Sequence, residues 1–318
     1  ALFLRRPLIV AGPPGIGKSS LAHSVSRELG LGRVLTWSIT SRTTLKDGLY
    51  RYDAIGRVQE AAAIAALRGA DGHVSAATRA AGAGVASDAA SEADQDAGDG
   101  ADAGATGAAD LADGAAGLSH LGEYVQLGPL GTALLPRRTP RVLLIDEFDK
   151  SDVDLASDLL SVFEEGEYLI PELARVRSRL PEVEVHTDDP DGTAVVHRGR
   201  VRCAAFPFIV ITSNGERTFP PAFLRRCLYL EMPAPGPDQL AALLAAQFGL
   251  GAEGEEDEAS TRADMIRQFL SRSRVGGTLA ADQLLNSEYL RTTPAGPDQA
   301  SWNRLLQSLW HRLDEVGP

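Results

Sequence analysis

A glycine-rich run near the start of the chain narrows the possible folds more than any other stretch. It reads GPPGIGKS, Gly12–Ser19, and follows an apolar segment, Pro7–Val10, that has the character of a strand. The next residues, SSLAHSVSRELG, have helical periodicity and end at Gly30, where a helix stop is expected. A G-x-x-x-x-G-K-[ST] run between a strand and a helix is typical of a loop that binds phosphate groups. The sequence therefore predicts an α/β fold with such a loop after its first strand.

The residue types in this loop suit Mg²⁺ and a nucleotide such as ATP. Glycines let backbone N–H groups face the phosphates, and the N-terminus of the following helix adds a favourable dipole. Lys18 can reach the β and γ phosphates, and the Ser19 hydroxyl can bind Mg²⁺. The competing interpretation is a glycine-rich turn that matches the pattern by chance. The predicted strand before the loop and the predicted helix after it disfavour that interpretation. The predicted nucleotide-binding residues are Gly12, Pro13, Pro14, Gly15, Ile16, Gly17, Lys18, Ser19 and Ser20.

A second motif, VLLIDEFDK, places two acidic residues directly after an apolar strand. In open parallel sheets, ligands bind at the carboxyl ends of the strands. Asp146 is predicted to hold Mg²⁺ through water, and Glu147 to orient and deprotonate the attacking water. Acidic residues also end strands or cap helices without any catalytic role. The catalytic interpretation of Asp146 and Glu147 therefore depends on the presence of the phosphate loop. Asp149 and Lys150 are interpreted as polar residues at the start of a helix.

A third stretch, ITSNGERTFPPAFLRRC, contributes an amide and two cations. Asn214 ends a strand predicted to lie beside the phosphate-loop strand, where its amide can hold the attacking water. Arg225 and Arg226 end a short helix, from which they reach the nucleotide of a neighbouring subunit more easily than their own. Arginines supplied in trans accelerate phosphoryl transfer in GTPases. The alternative is that both arginines offset the helix dipole or form surface ion pairs.

Composition excludes several other classes of protein. The formal net charge of −12 disfavours general binding of nucleic acids, which requires a basic face. The chain contains no run of eighteen apolar residues, and its opening residues are too short an apolar stretch for a membrane span. A cytoplasmic protein is expected. Cys203 and Cys227 lack metal-binding spacing and are predicted to be inert thiols.

The chain divides by composition into two predicted domains. Residues 1–235 alternate strands and helices, whereas residues 236–318 show only helical patterns. Residues 61–118 consist mainly of Ala, Gly, Asp and Ser, with almost no large apolar side chains. Such a composition cannot bury enough surface to offset the entropy of ordering, so a disordered insertion is predicted there.

These motifs, in this order, resemble those of the AAA+ ATPases, and their sequences are closer still to those of the MoxR-like branch. The resemblance rests on GPPGIGKS, YVQLGPLGTALLP, PRVLLIDEFDKSDVDLASDLLSVFEEGEYLIPE, RGRVRCAAFPFIVITSNGERTFPPAFLRRC and, weakly, TLAADQLLNSEYL. It implies a P-loop NTPase, that is, a three-layer αβα domain with a parallel sheet of strand order 5-1-4-3-2 and then a small all-α lid.

The same resemblance assigns roles to particular residues and partners. Asn214 matches the first sensor of the family and Arg226 its arginine finger, with Arg225 as the other candidate. The family implies a homo-oligomeric ring, usually of six subunits, and MoxR-like proteins commonly act beside von Willebrand A-type partners. Residues 183–198 are similar to the β-hairpin before the sensor strand, and residues 46–57 to an insertion that faces the pore or an upper surface. Tyr50 and Tyr52 then either contact a client or pack inside the fold.

One departure from the family concerns the lid. The position expected for a second sensor arginine falls near Ala281 and Asp282, which leaves Arg274 as an alternative.

The leading interpretation is an ATP hydrolase that oligomerises and remodels or activates a partner protein. The alternative is a nucleotide-gated signalling or scaffold module with little turnover. A DNA or RNA motor is disfavoured by the acidic balance. A phosphotransferase is disfavoured because Asn214 and the two arginines indicate contact between subunits.

Overall fold

The structure is a computed structural model, and it describes residues 1–60, 62–63, 120–248, 256–276, 279–293 and 299–310. The insertion predicted at residues 61–118 lies outside the described residues, apart from residues 62–63. The chain forms two compact units. The first comprises Ala1–Leu45, Arg137–Glu165 and Ala205–Pro318, and the second comprises Lys46–Pro136 and Gly166–Ala204.

The strands are short, and their bounds in chain order are β1 Leu8–Ala11, β2 Leu35–Ser38, β3 Tyr50–Tyr52, β4 Val125–Leu127, β5 Val142–Asp146, β6 Glu167–Leu169, β7 Glu182–His186, β8 Thr193–His197, β9 Arg200–Arg202, β10 Phe208–Ser213 and β11 Leu228–Glu231. The helices are α1 Lys18–Glu28, α2 Leu45–Leu49, α3 Pro129–Ala133, α4 Val153–Glu165, α5 Pro171–Arg175, α6 Pro221–Leu224, α7 Pro237–Phe248, α8 Glu256–Gly276, α9 Ala281–Thr292 and α10 Gln299–Leu309. Residues 54–60 are also helical.

A five-stranded parallel sheet forms the centre of the first unit, in the order β11-β1-β10-β5-β2. Counted within this unit, that order is the predicted 5-1-4-3-2, so the predicted α/β fold is confirmed. The middle strands β5 and β10 are almost continuously apolar because helices cover both faces of the sheet. Burial of both strands explains why they were readable from the sequence.

The register of this sheet brings three chain segments to one edge. Ala11 at the end of β1 lies opposite Ser213 at the end of β10, and Ile211 of β10 lies opposite Ile145 of β5. The residues that follow these strands therefore start from neighbouring positions. They are the segments in which the sequence placed its candidate site.

The C-terminal part of the first unit is helical, as predicted, and has its own apolar core. Buried residues from α7, α8, α9 and α10, and from positions just before α9 and just after α10, meet there: Leu240, Leu244, Met265, Ile266, Phe269, Leu279, Ala281, Leu284, Leu306 and Trp310. The division into domains at residue 235 remains a prediction, because these helices belong to the same compact unit as the parallel sheet.

The second unit is built on a mixed sheet in the order β3-β4-β7-β8-β9-β6. Within it β7 and β8 form an antiparallel hairpin, which confirms the hairpin that the sequence predicted around residues 183–198. Tyr50 is buried and donates a hydrogen bond to Glu172, at 2.9 Å. Packing inside the fold is therefore the role of Tyr50, whereas Tyr52 is half-buried and accepts a hydrogen bond from Arg57.

Both cysteines are free thiols. Burial raises the pKa of the Cys227 thiol to about 12, which makes it unreactive at neutral pH. Among the described residues, no helix is long and apolar enough to cross a bilayer.

Candidate functional site

The loop between β1 and α1 has the backbone shape that its glycines permit. Gly15 and Gly17 have φ values of 72° and 86°, in the left-handed region that favours glycine. Gly17 is also the residue from which α1 starts. The first N–H groups of a helix have no partner within the helix, so the loop and the start of α1 together offer donors to an anion.

Lys18 extends back across this loop. Its side chain is buried, and Nζ donates hydrogen bonds to the carbonyls of Gly12 and Pro13 and to Asn214 Oδ1, each at 2.8 Å. Burial lowers the pKa of Lys18, and the carboxylates of Asp149, Asp146 and Glu147 oppose that shift. These three acidic side chains help to keep a partly desolvated ammonium group charged.

Asp146, at the end of β5, is held by two hydroxyl groups. Ser19 Oγ donates to Asp146 Oδ1 at 2.8 Å, and Thr212 Oγ1 donates to the same oxygen at 2.6 Å. A carboxylate beside a serine hydroxyl is an oxygen donor set that suits Mg²⁺. Among the described residues, no three His, Cys, Asp or Glu side chains form a metal cluster, so any cation here would retain water or substrate ligands.

Glu147 adopts a left-handed backbone conformation, with φ 59° and ψ 44°. Such a conformation is costly for a residue other than glycine, and it is often found at functional sites. The turn is stabilised by a hydrogen bond from the Glu147 N–H to Thr212 Oγ1 at 2.9 Å. The Glu147 side chain is 46% exposed, and Oε2 accepts a 2.8 Å hydrogen bond from Lys150 Nζ.

Asn214 is positioned through its backbone. Asp149 Oδ2 accepts hydrogen bonds from the N–H groups of Asn214, at 2.8 Å, and of Glu216, at 3.1 Å. Asp149 is only 2% exposed. Asp149 lies in a short 3-10 helix, Phe148–Lys150, as the sequence predicted. The sequence did not indicate its further role: the carboxylate is buried and orients the segment that carries Asn214.

These residues line one cavity of about 370 Å³ in the first unit. Its lining comprises Pro14, Gly15, Gly17, Lys18, Ser19, Ser20, Asp146, Glu147, Thr212, Asn214 and Asp282. Of the predicted loop residues, Gly12 and Pro13 instead supply carbonyl acceptors to Lys18, and Ile16 does not line the cavity.

Three of the lining or supporting residues were missed or left without a role by sequence reasoning. Thr212 was hidden inside an apolar strand run, although a hydroxyl two residues before Asn214 was a usable signal. Asp149 stood only two residues after Glu147. Asp282 was noted solely as a departure from a family pattern.

Neither arginine at the end of α6 lines the cavity. Arg226 forms an ion pair with Glu164, and its Nη1 donates to the Ala222 carbonyl at 3.3 Å. Arg225 is exposed, and its side chain has no ion-pair partner within the described part of the chain. The surface ion pair considered from the sequence is thus what the structure shows for Arg226, while Arg225 is available to another molecule. The side chain of Arg274 lies outside the described residues.

Comparisons with known proteins add little to this geometry. No family model and no curated protein matches the chain. A solved structure of C. elegans PCH-2 matches with a TM-score of 0.37 and 13% sequence identity. The match covers 96% of this chain and 60% of that chain, so this chain spans less than two thirds of the length of PCH-2.

Proposed function

We propose that this chain is an ATP hydrolase of the AAA+ type. One observation carries the proposal: Lys18, Ser19, Asp146, Glu147 and Asn214 surround a single cavity although they come from three distant stretches of sequence. Each belongs to a residue type that phosphoryl transfer requires, namely a cation, a hydroxyl, two carboxylates and an amide. A chance glycine-rich turn would not explain why the other two segments meet it.

The loop and Lys18 bind the phosphates in this proposal. The ammonium group of Lys18 is held by three neutral acceptors, two carbonyls and one amide oxygen. Exchanging these contacts for anionic phosphate oxygens favours the bound state, because hydrogen bonds to charged acceptors are about twice as strong. Ser19 and Asp146 would hold Mg²⁺, which supplies neutralisation of phosphate charge when it is bound.

Glu147 and Asn214 act on the attacking water. The Glu147 carboxylate takes its proton, and the Asn214 amide oxygen or nitrogen holds it in place. Lys150 must release Glu147 for this step, because their 2.8 Å hydrogen bond occupies one carboxylate oxygen. Glu147 follows the strand in a left-handed turn and lines the same cavity as Asp146, so that the two carboxylates can take different tasks.

In this proposal, assembly of several subunits adds the last catalytic group, an arginine from a neighbouring subunit. Arg225 or Arg226 of one subunit offsets the charge that develops at the nucleotide of its neighbour, in a ring that the AAA+ resemblance suggests has six members. Exposed Arg225 needs no rearrangement, whereas Arg226 must first leave Glu164. In this proposal ring assembly therefore controls the rate of hydrolysis.

A protein client or partner uses the resulting movement. The resemblance of the motif sequences to the MoxR-like branch supports a cytoplasmic remodelling ATPase. A protein of the von Willebrand A type is the first candidate for its partner. A nucleotide-gated signalling module with little turnover would use the same cavity. The Lys150–Glu147 ion pair favours this second function, since it holds the catalytic base in an inactive contact.

Two assays test the proposal. Isothermal titration with Mg·ATP should show binding by the wild type and by Lys46→Ala, an exposed-lysine control, but not by Lys18→Ala. Phosphate release should then occur with the wild type and be lost in Glu147→Gln. ATP binding without turnover at any protein concentration would support the signalling function, and absence of binding would reject both.

A further inference from the structure

An acidic side chain from the helical region lines the cavity together with residues of the glycine-rich loop. Asp282 is the second residue of α9 and lines the same cavity as Lys18, Asp146 and Glu147. Its side chain is exposed and has no hydrogen-bond or ion-pair partner among the described residues. No cation of the described part of the chain is therefore paired with it.

Close packing holds the start of α9 against the phosphate loop. A Cβ atom added at Gly15 would lie 2.3 Å from Ala280 Cβ and 2.8 Å from Ala280 Cα. The turn into α9 is closed by two hydrogen bonds, from the Ala280 N–H to Gln283 Oε1 at 3.2 Å and from the Gln283 N–H to the Ala280 carbonyl at 3.0 Å. Because Ala280 packs directly on Gly15, the backbone at the start of α9 is held beside the loop.

The charges around the cavity are unbalanced for binding a triphosphate. Among the described residues, the cavity is lined by three carboxylates, those of Asp146, Glu147 and Asp282, by one ammonium group, that of Lys18, and by no arginine. Asp146 has two hydroxyl partners and Glu147 is paired with Lys150. Asp282 is thus the lining carboxylate whose charge is least compensated.

We propose that Asp282 makes this cavity discriminate against the terminal phosphate of a nucleoside triphosphate, so that the diphosphate is favoured when α9 is docked on the loop. The inference rests on the proposed function, because it requires that the cavity bind a nucleotide. The γ phosphate of ATP then repels the Asp282 carboxylate and weakens the docking of α9 on the loop. Release of the γ phosphate removes this repulsion. The position of the helical region therefore depends on whether the bound nucleotide carries a γ phosphate.

A purely local role for Asp282 makes a different prediction. An acidic residue in the first turn stabilises a helix by interacting with its dipole. In that case, removing the charge would lower the melting temperature and would leave the preference between nucleotides unchanged.

Equilibrium binding of ADP and of a non-hydrolysable ATP analogue, each with Mg²⁺, separates these outcomes. For Asp282→Asn we expect the Kd of the analogue to fall about threefold to tenfold, because an exposed charge is partly screened. The Kd of ADP should change by less than about twofold, and the effect should shrink as salt is raised to about 0.5 M. Asp282→Ala should reproduce the shift if the amide variant folds poorly.

Asp238→Asn is the matched control, since Asp238 is an exposed residue in the first turn of α7 and does not line the cavity. It should change neither Kd. An unchanged ratio of the two Kd values in the Asp282 variants, or weaker binding of the analogue, would overturn the inference while leaving the proposed function intact. Failure of the wild type to bind either nucleotide would overturn both.

Discussion

Asp149 illustrates how one buried carboxylate organises a site from beneath. Its Oδ2 atom accepts two backbone N–H groups, those of Asn214 and Glu216, and its charge lies close enough to Lys18 to raise the pKa of the ammonium group. Asn214 in turn accepts a hydrogen bond from Lys18. One side chain therefore connects the positions of Lys18 and Asn214, which we propose bind phosphate and hold the attacking water.

Replacing Asp149 by Asn should weaken catalysis more than nucleotide binding. An amide retains the size of the side chain but accepts backbone hydrogen bonds less strongly, so we expect the free energy of unfolding to fall by about 1–3 kcal/mol. Misplacement of Asn214 should lower kcat on the order of tenfold, with the Kd of ATP nearly unchanged. Urea denaturation and phosphate release measure these effects. Asp158→Asn, on the exposed face of α4, is the control; equal effects from both variants would contradict the role of Asp149.

Glu288 makes the helical region sensitive to acid. The side chain is fully buried and pairs with Arg262 and Arg291, both at 2.7 Å. Burial raises the pKa of this carboxyl, but the hydrogen bonds and charges of Arg291 and Arg262 outweigh burial and leave the pKa below its usual value of 4.5. A lowered pKa in the folded state means that Glu288 stabilises at neutral pH, and that this stabilisation is lost as the pH falls below 4.5 through the folded-state pKa.

Glu288→Gln should therefore destabilise the helical region at pH 7 and have little effect in acid. Removing one partner of a buried ion pair typically costs about 3–5 kcal/mol. Trp310, whose Nε1 donates to the neighbouring Ser287, provides a fluorescence signal for unfolding. The gap between wild type and variant should narrow below pH 4.5. A constant gap, or one no larger than that of Asp264→Asn in the exposed Asp264–Arg267 pair, would show that Glu288 contributes little.

Among the secondary-structure elements, the contact between the phosphate loop and α9 depends on the absence of a side chain at Gly15. Gly15→Ala would place a methyl group against Ala280, an overpacking that costs about 1–3 kcal/mol. We expect the Kd of ATP to rise about tenfold, because the methyl group distorts the loop that binds the phosphates, and this loss exceeds any relief of the repulsion from Asp282. Gly30→Ala has a similar strained φ, 63° against 72°, but its Cβ would meet no atom within 4 Å. Comparable losses of ATP affinity in both variants would mean that backbone strain, not the contact with α9, is responsible.

The elements also show what could be predicted from the sequence. The strands β1, β5 and β10 are buried, apolar and followed by recognisable motifs, so their order and the edge where they meet followed from the residues and the family resemblance. The second sheet did not, apart from its hairpin, because β3, β4, β6 and β9 are only three residues each and show no measurable periodicity. The role of Thr212 was missed because it depends on the left-handed turn at Glu147, which no local pattern indicated. The role of Asp149 was missed because its partners, the N–H groups of Asn214 and Glu216, lie more than sixty residues away along the chain.

At the scale of the whole molecule, the question is which cation besides Lys18 stabilises the charge of the nucleotide. Of the lining residues that the structure describes, Lys18 alone is a cation, and the two arginines of the FLRRC segment lie outside the cavity. A triphosphate with Mg²⁺ still requires charge stabilisation in the transition state. In the proposed function, a neighbouring subunit supplies it through Arg225 or Arg226, and hydrolysis then depends on assembly.

Mixing two inactive variants tests this mechanism most directly. Glu147→Gln disables the cavity but keeps both arginines, whereas the double variant Arg225→Ala, Arg226→Ala keeps the cavity but lacks the cations. Each alone should release no phosphate from ATP, and their mixture should recover a substantial part of the wild-type rate as protein concentration rises. Full activity of the double arginine variant by itself, or wild-type hydrolysis that proceeds equally well in a dilute monomer, would contradict an active site completed by a neighbour.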